Sequence, residues 1–523
     1  MTRDSVNNSA IELAEPTMLG WLTDYGLDVE YVRSSGNTLF AKNQADGSEF
    51  PVLDFAGGYG SVMLGHNHPE VVDVARRILG EGTPIHAQFS RHPYANRLAS
   101  ELNAILHREF GVSEPYYAVF ANSGAEAVEA AVKHAELDRG HKVVAAVEAV
   151  ERSLEEARAA VADSAVVAEE TYRALGLPAG DFDALVAEVT RANAEKAARP
   201  PVFLALEGGF HGKLVGSTQL THNPAYRGPF TALARPARFV PFDEPGAVGK
   251  ILDEERVRLY ELEVVDGVVR LAERELPIVT AFLLEPIQGE GGIREVDADL
   301  AEEISTACRA AGVPVVVDEV QSGMGRAGAF FASSQIGLRG DYYALSKSLG
   351  GGVAKAAVML VREGFYRGDF ELVHSSTFAK DSYSCTIALK ALELLEADGG
   401  RAYRTAATLG AKLTAVLEAL RAENPDLVKE VRGRGLMLGL EFHDQSGSPV
   451  PAVAEQAKAG MFGYAVAGYL LREHRIRLFP TASATNTIRF EPSIHLTDAE
   501  IAQLDTGLRG LVEVLRDPSK RLV

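Results

Sequence analysis

Val315-Val316-Val317-Asp318-Glu319-Val320-Gln321, followed by Tyr342-Tyr343-Ala344-Leu345-Ser346-Lys347-Ser348-Leu349-Gly350-Gly351-Gly352, decide the fold. Each opens on a short apolar run that ends in a charged residue. A few consecutive apolar residues with no polar alternation read as a strand buried on both faces, the habit of parallel sheets covered by helices. Similar runs, Tyr116 to Phe120, Val202 to Leu206 and Phe282 to Leu284, alternate with longer Ala/Leu/Glu stretches of helical period. The expected fold class is therefore α/β, with a large domain built on a mainly parallel sheet. Such sheets hold ligands at the carboxyl ends of their strands, where Asp318 and Lys347 stand.

Outward from this centre the texture changes twice. After about Ala388 the chain reads as helices with a few strands, around Glu430 to Phe442 and Thr487 to Phe490, which suggests a smaller α+β domain. The expected division is 1–75 as an N-terminal segment joining the small domain, 76–385 as the large domain, and 386–523 as the C-terminal small domain. Leu137 to Pro200, rich in Ala, Glu and Val and broken only at Gly176 to Gly180, reads as a helical hairpin inserted into the large domain.

Composition sets the outer bounds. The 523 residues are 46% hydrophobic and 24% charged, an ordinary globular balance with room for a large core. Acids outnumber bases 72 to 52, a formal charge of −20, which argues against a nucleic-acid partner. The two cysteines, Cys308 and Cys385, exclude a disulfide scaffold and lack metal-ligand spacing, so no metal site is expected. Met1 to Glu15 has no basic flank and apolar run of a secretory signal. No stretch approaches the roughly 20 apolar residues of a membrane span. The cytoplasm is the expected location.

Five constellations carry chemistry. Ser123-Gly124-Ala125-Glu126 opens an Ala-rich helix with the spacing of a capping box, and Gly124 and Ala125 keep bulk away from the free N–H groups, a seat for phosphate. The same spacing also describes a capped helix with no ligand. Asp318, at a strand end, could keep a pyridine nitrogen protonated, and Gln321 could bond a ring hydroxyl. Lys347, desolvated and followed by glycines, could form a Schiff base, although a lone lysine is ordinarily a solvated charge. Phe210, between glycines in Glu207-Gly208-Gly209-Phe210-His211-Gly212, could stack on a ring face, with His211 as a hydrogen-bonded support. Arg489, in Thr487-Ile488-Arg489-Phe490, could grip a carboxylate, and Glu290, in Glu285-Pro286-Ile287-Gln288-Gly289-Glu290, could occupy it otherwise. Sequence alone does not pair these last two.

Taken together and in order, these stretches resemble the class III aminotransferases, the ornithine, 4-aminobutyrate and acetylornithine type within fold type I of the pyridoxal-phosphate (PLP) enzymes. Gly65-His66-Asn67-His68-Pro69 and Val431-Arg432-Gly433-Arg434-Gly435-Leu436-Met437-Leu438-Gly439 extend the likeness, which runs from about Asp54 to Pro492. The resemblance implies PLP as cofactor, Lys347 as Schiff-base lysine and proton shuttle, and Asp318 as partner of the pyridine nitrogen. Gln321 would lie near the ring hydroxyl, Ser123, Gly124 and Ala125 on the phosphate, and Phe210 on the ring. Thr377, in Ser376-Thr377-Phe378, would reach the phosphate of a neighbouring subunit, which makes the protein a homodimer. Arg489 would bind a carboxylate, Glu290 would cover it, and Tyr59 would line the substrate wall.

The implied activity is transfer of an amino group from a donor, glutamate being the first choice, to a carbonyl acceptor in two half-reactions. Aminomutase, racemase or decarboxylase chemistry on the same cofactor, and a non-catalytic scaffold, are the alternatives. The chain departs from the family in Ala379-Lys380-Asp381-Ser382, where glycines and Asn-Pro are usual, in Val353-Ala354-Lys355 after the glycine run, and in the 137–200 insertion. That insertion is expected to be a surface helical elaboration or extra dimer contact, a lid beside the entrance, or a dock for a carrier protein bearing a tethered substrate.

Overall fold

Among the residues described by the computed structural model, 13–43, 46–86 and 89–523, the largest sheet has seven strands. In spatial order they are Tyr116–Ala121, Ala357–Arg362, Tyr342–Leu345, Val315–Asp318, Val279–Leu284, Val202–Leu206 and Arg238–Val240. Ala357–Arg362 is antiparallel to both neighbours and the remaining pairings are parallel, so the other six strands share one direction. Their carboxyl ends, and the residues that follow, lie along one edge.

Alternation along each strand makes two cores. Val315 and Val317 join Phe282, Leu284, Tyr343 and Leu345 on one face, while Val316 joins Ala281, Leu283, Tyr342 and Ala344 on the other. The second face is covered by the helix Gly124–Ala162, whose Ala127, Ala130 and Ala131 are small enough to bring it close. No helix among the described residues is long and apolar enough to cross a membrane.

A separate core sits under two smaller sheets. Val428–Arg434, Met437–Phe442, Thr487–Phe490 and Phe479–Pro480 form one; Tyr31–Ser35, Thr38–Lys42, Glu49–Asp54 and Ile476–Arg477 form the other. Leu413, Leu417 and Leu420 of the helix Ser382–Glu423 fill this core, whereas Cys385, Ala388 and Ala391 of the same helix belong to the large one. The helix breaks between them at Ala397 to Gly400, with Asp398, Gly399 and Gly400 left-handed.

The insertion is more than the expected helical hairpin. Its first part simply prolongs the helix Gly124–Ala162, after which come the short strand Val166–Val167 and the helices Glu169–Ala174 and Phe182–Ala197. These rest on an antiparallel ribbon, Val257–Val265 with Val268–Leu276, which the sequence reading passed over. Ala157, Tyr172, Leu185, Val186 and Val189 meet Leu262 and Val269 of the ribbon in a small core. A helix of 39 residues is about 57 Å long, and this one starts at the sheet's carboxyl edge. The insertion therefore lies at the far end from that edge, and the lid expected as one reading is corrected: it cannot cover its own chain's strand ends.

Candidate functional site

Asp318 ends its strand opposite Ala344 of the adjacent strand, and Lys347 comes three residues after Ala344, just past that strand's end. The register therefore brings carboxylate and amine to neighbouring positions at the carboxyl edge. Lys347 has a left-handed φ of 50°, a conformation that costs a non-glycine residue about 1–3 kcal/mol and persists where surroundings enforce it. Those surroundings include Ser346 Oγ, which donates to Ala356 O at 3.1 Å, and Ser348 Oγ, which donates to Gly60 O at 2.7 Å. The Lys347 amine makes no hydrogen bond or ion pair to any described residue. Burial pushes it below the usual lysine range, against Glu491, Glu290 and Glu285, which favour the ammonium; Arg489 adds to the depression.

Asp318 is buried, with Oδ1 accepting from Val320 N at 3.0 Å and Oδ2 lying 2.9 Å from His211 Nδ1. Burial alone would lower His211, but the Asp318 hydrogen bond and charge outweigh it and hold the imidazole above its ordinary value. His211 thus braces Asp318. Its Nε2 is buried without a partner. Phe210, beside it, meets Tyr226 edge-on at 5.7 Å.

Ser123 caps the helix Gly124–Ala162 by accepting from Glu126 N at 3.3 Å. The return half of the expected capping box is shifted by one residue: the Glu126 carboxylate accepts from Asn122, at N and Nδ2, instead of Ser123. That leaves the N–H groups of Gly124 and Ala125 free of side-chain caps. A Cβ on Gly124 would stand 2.6 Å from Val320 Cγ1, so glycine is required by close packing against the loop after Asp318. Asn122 Nδ2 also donates to Ser376 Oγ at 2.8 Å, tethering the loop that carries the exposed Thr377. The Thr377 hydroxyl makes no hydrogen bond to any described residue.

At the other end of the site Arg489 Nη1 lies 2.5 Å from Glu290 Oε1, and Glu290 Oε2 accepts from Ala482 N at 2.8 Å. The pairing that sequence could not supply is present. Arg489 is buried, its Nη2 has no partner, and a second carboxylate, Glu491, stands 3.5 Å from Nε. Gln321 Nε2 donates to Glu491 at 3.0 Å, which turns its amide toward Arg489. Tyr59 lies under the Arg489 guanidinium, 4.8 Å from the ring centre, and stacks on Phe479 at 5.7 Å. Its left-handed φ of 56° is shared with the adjoining Gly57, Gly58 and Gly60. The buried Asp54 carboxylate anchors this turn from below, accepting from Ala56 N and Arg477 Nη1 and meeting His66 Nε2 at 2.8 Å.

The expected residues therefore fall into one connected site, apart from Thr377, which faces outward. Sequence reasoning missed Glu285, Arg326, Glu491, Tyr226 and Tyr464. Tyr464, pushed up to about 12 by burial, shares its environment with Tyr226, Tyr59, Glu290 and Arg489. Arg326, fully buried, donates to the carbonyls of Leu436 and Pro492. Glu491, one residue past Phe490, had a legible signal: an acid inside an otherwise apolar strand end.

The fold is that of known aminotransferase structures. Ornithine aminotransferase from Toxoplasma gondii ME49 superposes with a TM-score of 0.65 at 20% identity, over 96% of this chain and 97% of that one. A Bacillus anthracis aminotransferase gives 0.66 at 20%, over 93% of each. The pattern of the family Aminotransferase class-III matches residues 24–512, and the chain belongs to that family. A putrescine aminotransferase from Pectobacterium atrosepticum is 28% identical over 505 residues, 96% of this chain and 85% of that protein. The enzyme is accordingly PLP-dependent. The residues present fit that cofactor: an unpartnered amine, a buried carboxylate braced by an imidazole, and uncapped N–H groups at a helix start converge on one edge.

Proposed function

We propose that the protein moves an amino group between an amino donor and a carbonyl acceptor in two half-reactions, with glutamate and 2-oxoglutarate as one pair. The observation that carries this reading is the buried Arg489, covered by Glu290 at 2.5 Å within electrostatic reach of Lys347. A carboxylate receptor that is closed by the protein's own acid can serve two unlike substrates in turn, which is what two half-reactions require. Bound PLP supplies an electron sink for the charge that develops at the substrate carbon.

The chain's own residues do the rest. Lys347 would hold the cofactor through its amine and would move a proton at the substrate carbon, a role contributing typically about 10² to 10⁴-fold. Its depressed basicity suits it to give and take that proton. Asp318, braced by His211, holds the ring nitrogen's proton. Ser123, Gly124 and Ala125 would hold the phosphate, Phe210 would cover the ring, and Gln321 would serve the ring hydroxyl. Arg489 binds a substrate carboxylate, Glu290 covers it for an amine, and Tyr59 forms the wall.

The reading includes a cytoplasmic homodimer with Thr377 reaching the partner's phosphate. Leu372, Val373 and Phe378, all exposed around Thr377, are apolar surface that a second copy would cover. A carrier protein on the insertion fits poorly, since its tether would have to span most of about 57 Å. Mixing the PLP-loaded protein with glutamate alone tests the reaction: about one 2-oxoglutarate per subunit is expected. Racemised or decarboxylated product with no 2-oxoglutarate would replace transamination by another PLP reaction.

A further inference from the structure

Glu285 follows the strand Val279–Leu284 directly and is buried at the carboxyl edge. Its two oxygens serve two different loops. Oε1 accepts from Phe210 N at 2.9 Å, and Oε2 accepts from Gly289 N, the residue before Glu290, at 3.0 Å. The same loops touch again where Gln288 Nε2 donates to Glu207 O at 2.6 Å. Their backbones are in such close contact that a Cβ on Gly291 would stand 2.4 Å from Gly208 O. Gly289 also abuts the loop after Asp318, since a Cβ there would meet Gln321 Oε1 at 1.6 Å.

We propose that Glu285 is a positioning residue that fixes the backbone under Glu290, so that Glu290 leaves Arg489 and returns by side-chain rotation alone. A carboxyl group can accept on both of its oxygens and so holds both N–H groups at once. A glutamine of the same shape can accept from one and presents donors to the other. The Glu290 backbone is otherwise tied through its carbonyl to Ser483 N, on a separate loop. Loosened at Gly289, Glu290 covers Arg489 less faithfully, and an amine without a carboxylate then faces a buried cation that lacks one partner. A carboxylate-bearing substrate no longer has to displace that partner. Glu285 thereby acts on substrate choice through Glu290. The inference rests on the Arg489 and Glu290 roles proposed above.

Two measurements test it on the PLP-loaded protein and one on the cofactor-free chain. Glutamate and n-butylamine are compared by their half-saturating concentrations in single-turnover mixing, for the natural protein, Glu285→Gln, Glu290→Ala and the double variant. Glu285→Gln is expected to shift the ratio toward glutamate by at least about 10-fold, the scale of a lost hydrogen bond to a charged group. In the Glu290→Ala background it should add nothing. Amide hydrogen exchange of the cofactor-free chain should speed up at Phe210 or Gly289 in Glu285→Gln. An unchanged ratio, a shift that persists without Glu290, or unchanged exchange would overturn the inference. If Glu285→Gln fails to fold, Gln288→Ala loosens the same pair of loops and should shift the ratio the same way by less; no shift overturns the inference equally. A natural protein that does not react with glutamate at all is a separate outcome, and sinks the proposed function.

Discussion

The carboxyl edge of the seven-stranded sheet and the layer at the far end of the helix Gly124–Ala162 are built on opposite plans. At the edge, charges are buried: Asp318, Glu285, Glu319, Arg326, Arg489 and Glu491 all lie out of solvent. Left-handed non-glycine residues, Lys347, Tyr59 and Met324, gather near them. In the far layer the charges are paired on the surface, Arg191 with Glu188 and Glu195 and Arg258 with Glu273 and Glu275, around a modest apolar core. Buried charge and strain lower stability and are retained where they serve chemistry. The far layer buries Glu261, paired with Arg274 at 2.7 Å, and keeps its left-handed residues Ser164 and Asp266 in turns, which marks it as scaffold.

The largest effect should come from Asp318→Asn, which leaves His211 buried beside a neutral amide. Turnover is expected to fall by roughly 10² to 10³-fold, the scale of losing one preorganised electrostatic partner. The cofactor-free chain should lose about 3 kcal/mol in denaturant unfolding, as when one member of a buried pair is removed. A variant with near-normal turnover would break the contrast. Arg489→Lys keeps the charge but loses the fork; the half-saturating concentration of a carboxylate substrate should rise by roughly 10 to 100-fold, while that of n-butylamine changes little.

A smaller effect sharpens the same contrast through pH. His211 sits above its ordinary value in the folded chain, so its pairing with Asp318 contributes stability that is fully present below the unfolded histidine value of about 6.5 and is lost as pH rises through the folded value. The stability difference between the natural chain and His211→Asn should therefore shrink as pH rises from about 6 toward 9. A difference that grows instead would mean that His211 is buried neutral. The smallest effect on activity belongs to the far layer. Leu262→Ala should destabilise that layer by about 2–5 kcal/mol and leave the kinetics of the site unchanged. Altered substrate affinity in this variant would reconnect the layer to the site.

The Asp318 and Lys347 end of the site was legible because its parts are local. Val315 to Asp318 and Tyr342 to Lys347 each carry strand and functional group together, and Ser123 to Glu126 carries cap and glycine together. The Arg489 end was not, because Arg489 meets Glu290, Tyr59 and Phe479 from three distant parts of the chain. Its conformational signals, such as the left-handed Tyr59, are fixed by tertiary contacts. The ribbon Val257–Val265 and Val268–Leu276 is a different case. Asp266-Gly267 between alternating residues is a strong hairpin signal, and both take positive φ as a tight turn of this kind requires. The insertion was read as self-contained only because that ribbon lies about 60 residues downstream of its last helix.

The central claim is that Lys347 carries the cofactor in an aminotransferase site. It is tested most directly by the visible spectrum of the purified protein with PLP, before and after glutamate, beside Lys347→Ala. The account predicts a band from lysine-bound cofactor that collapses with glutamate and is absent from the variant. A band that survives in Lys347→Ala and still responds to glutamate would contradict it.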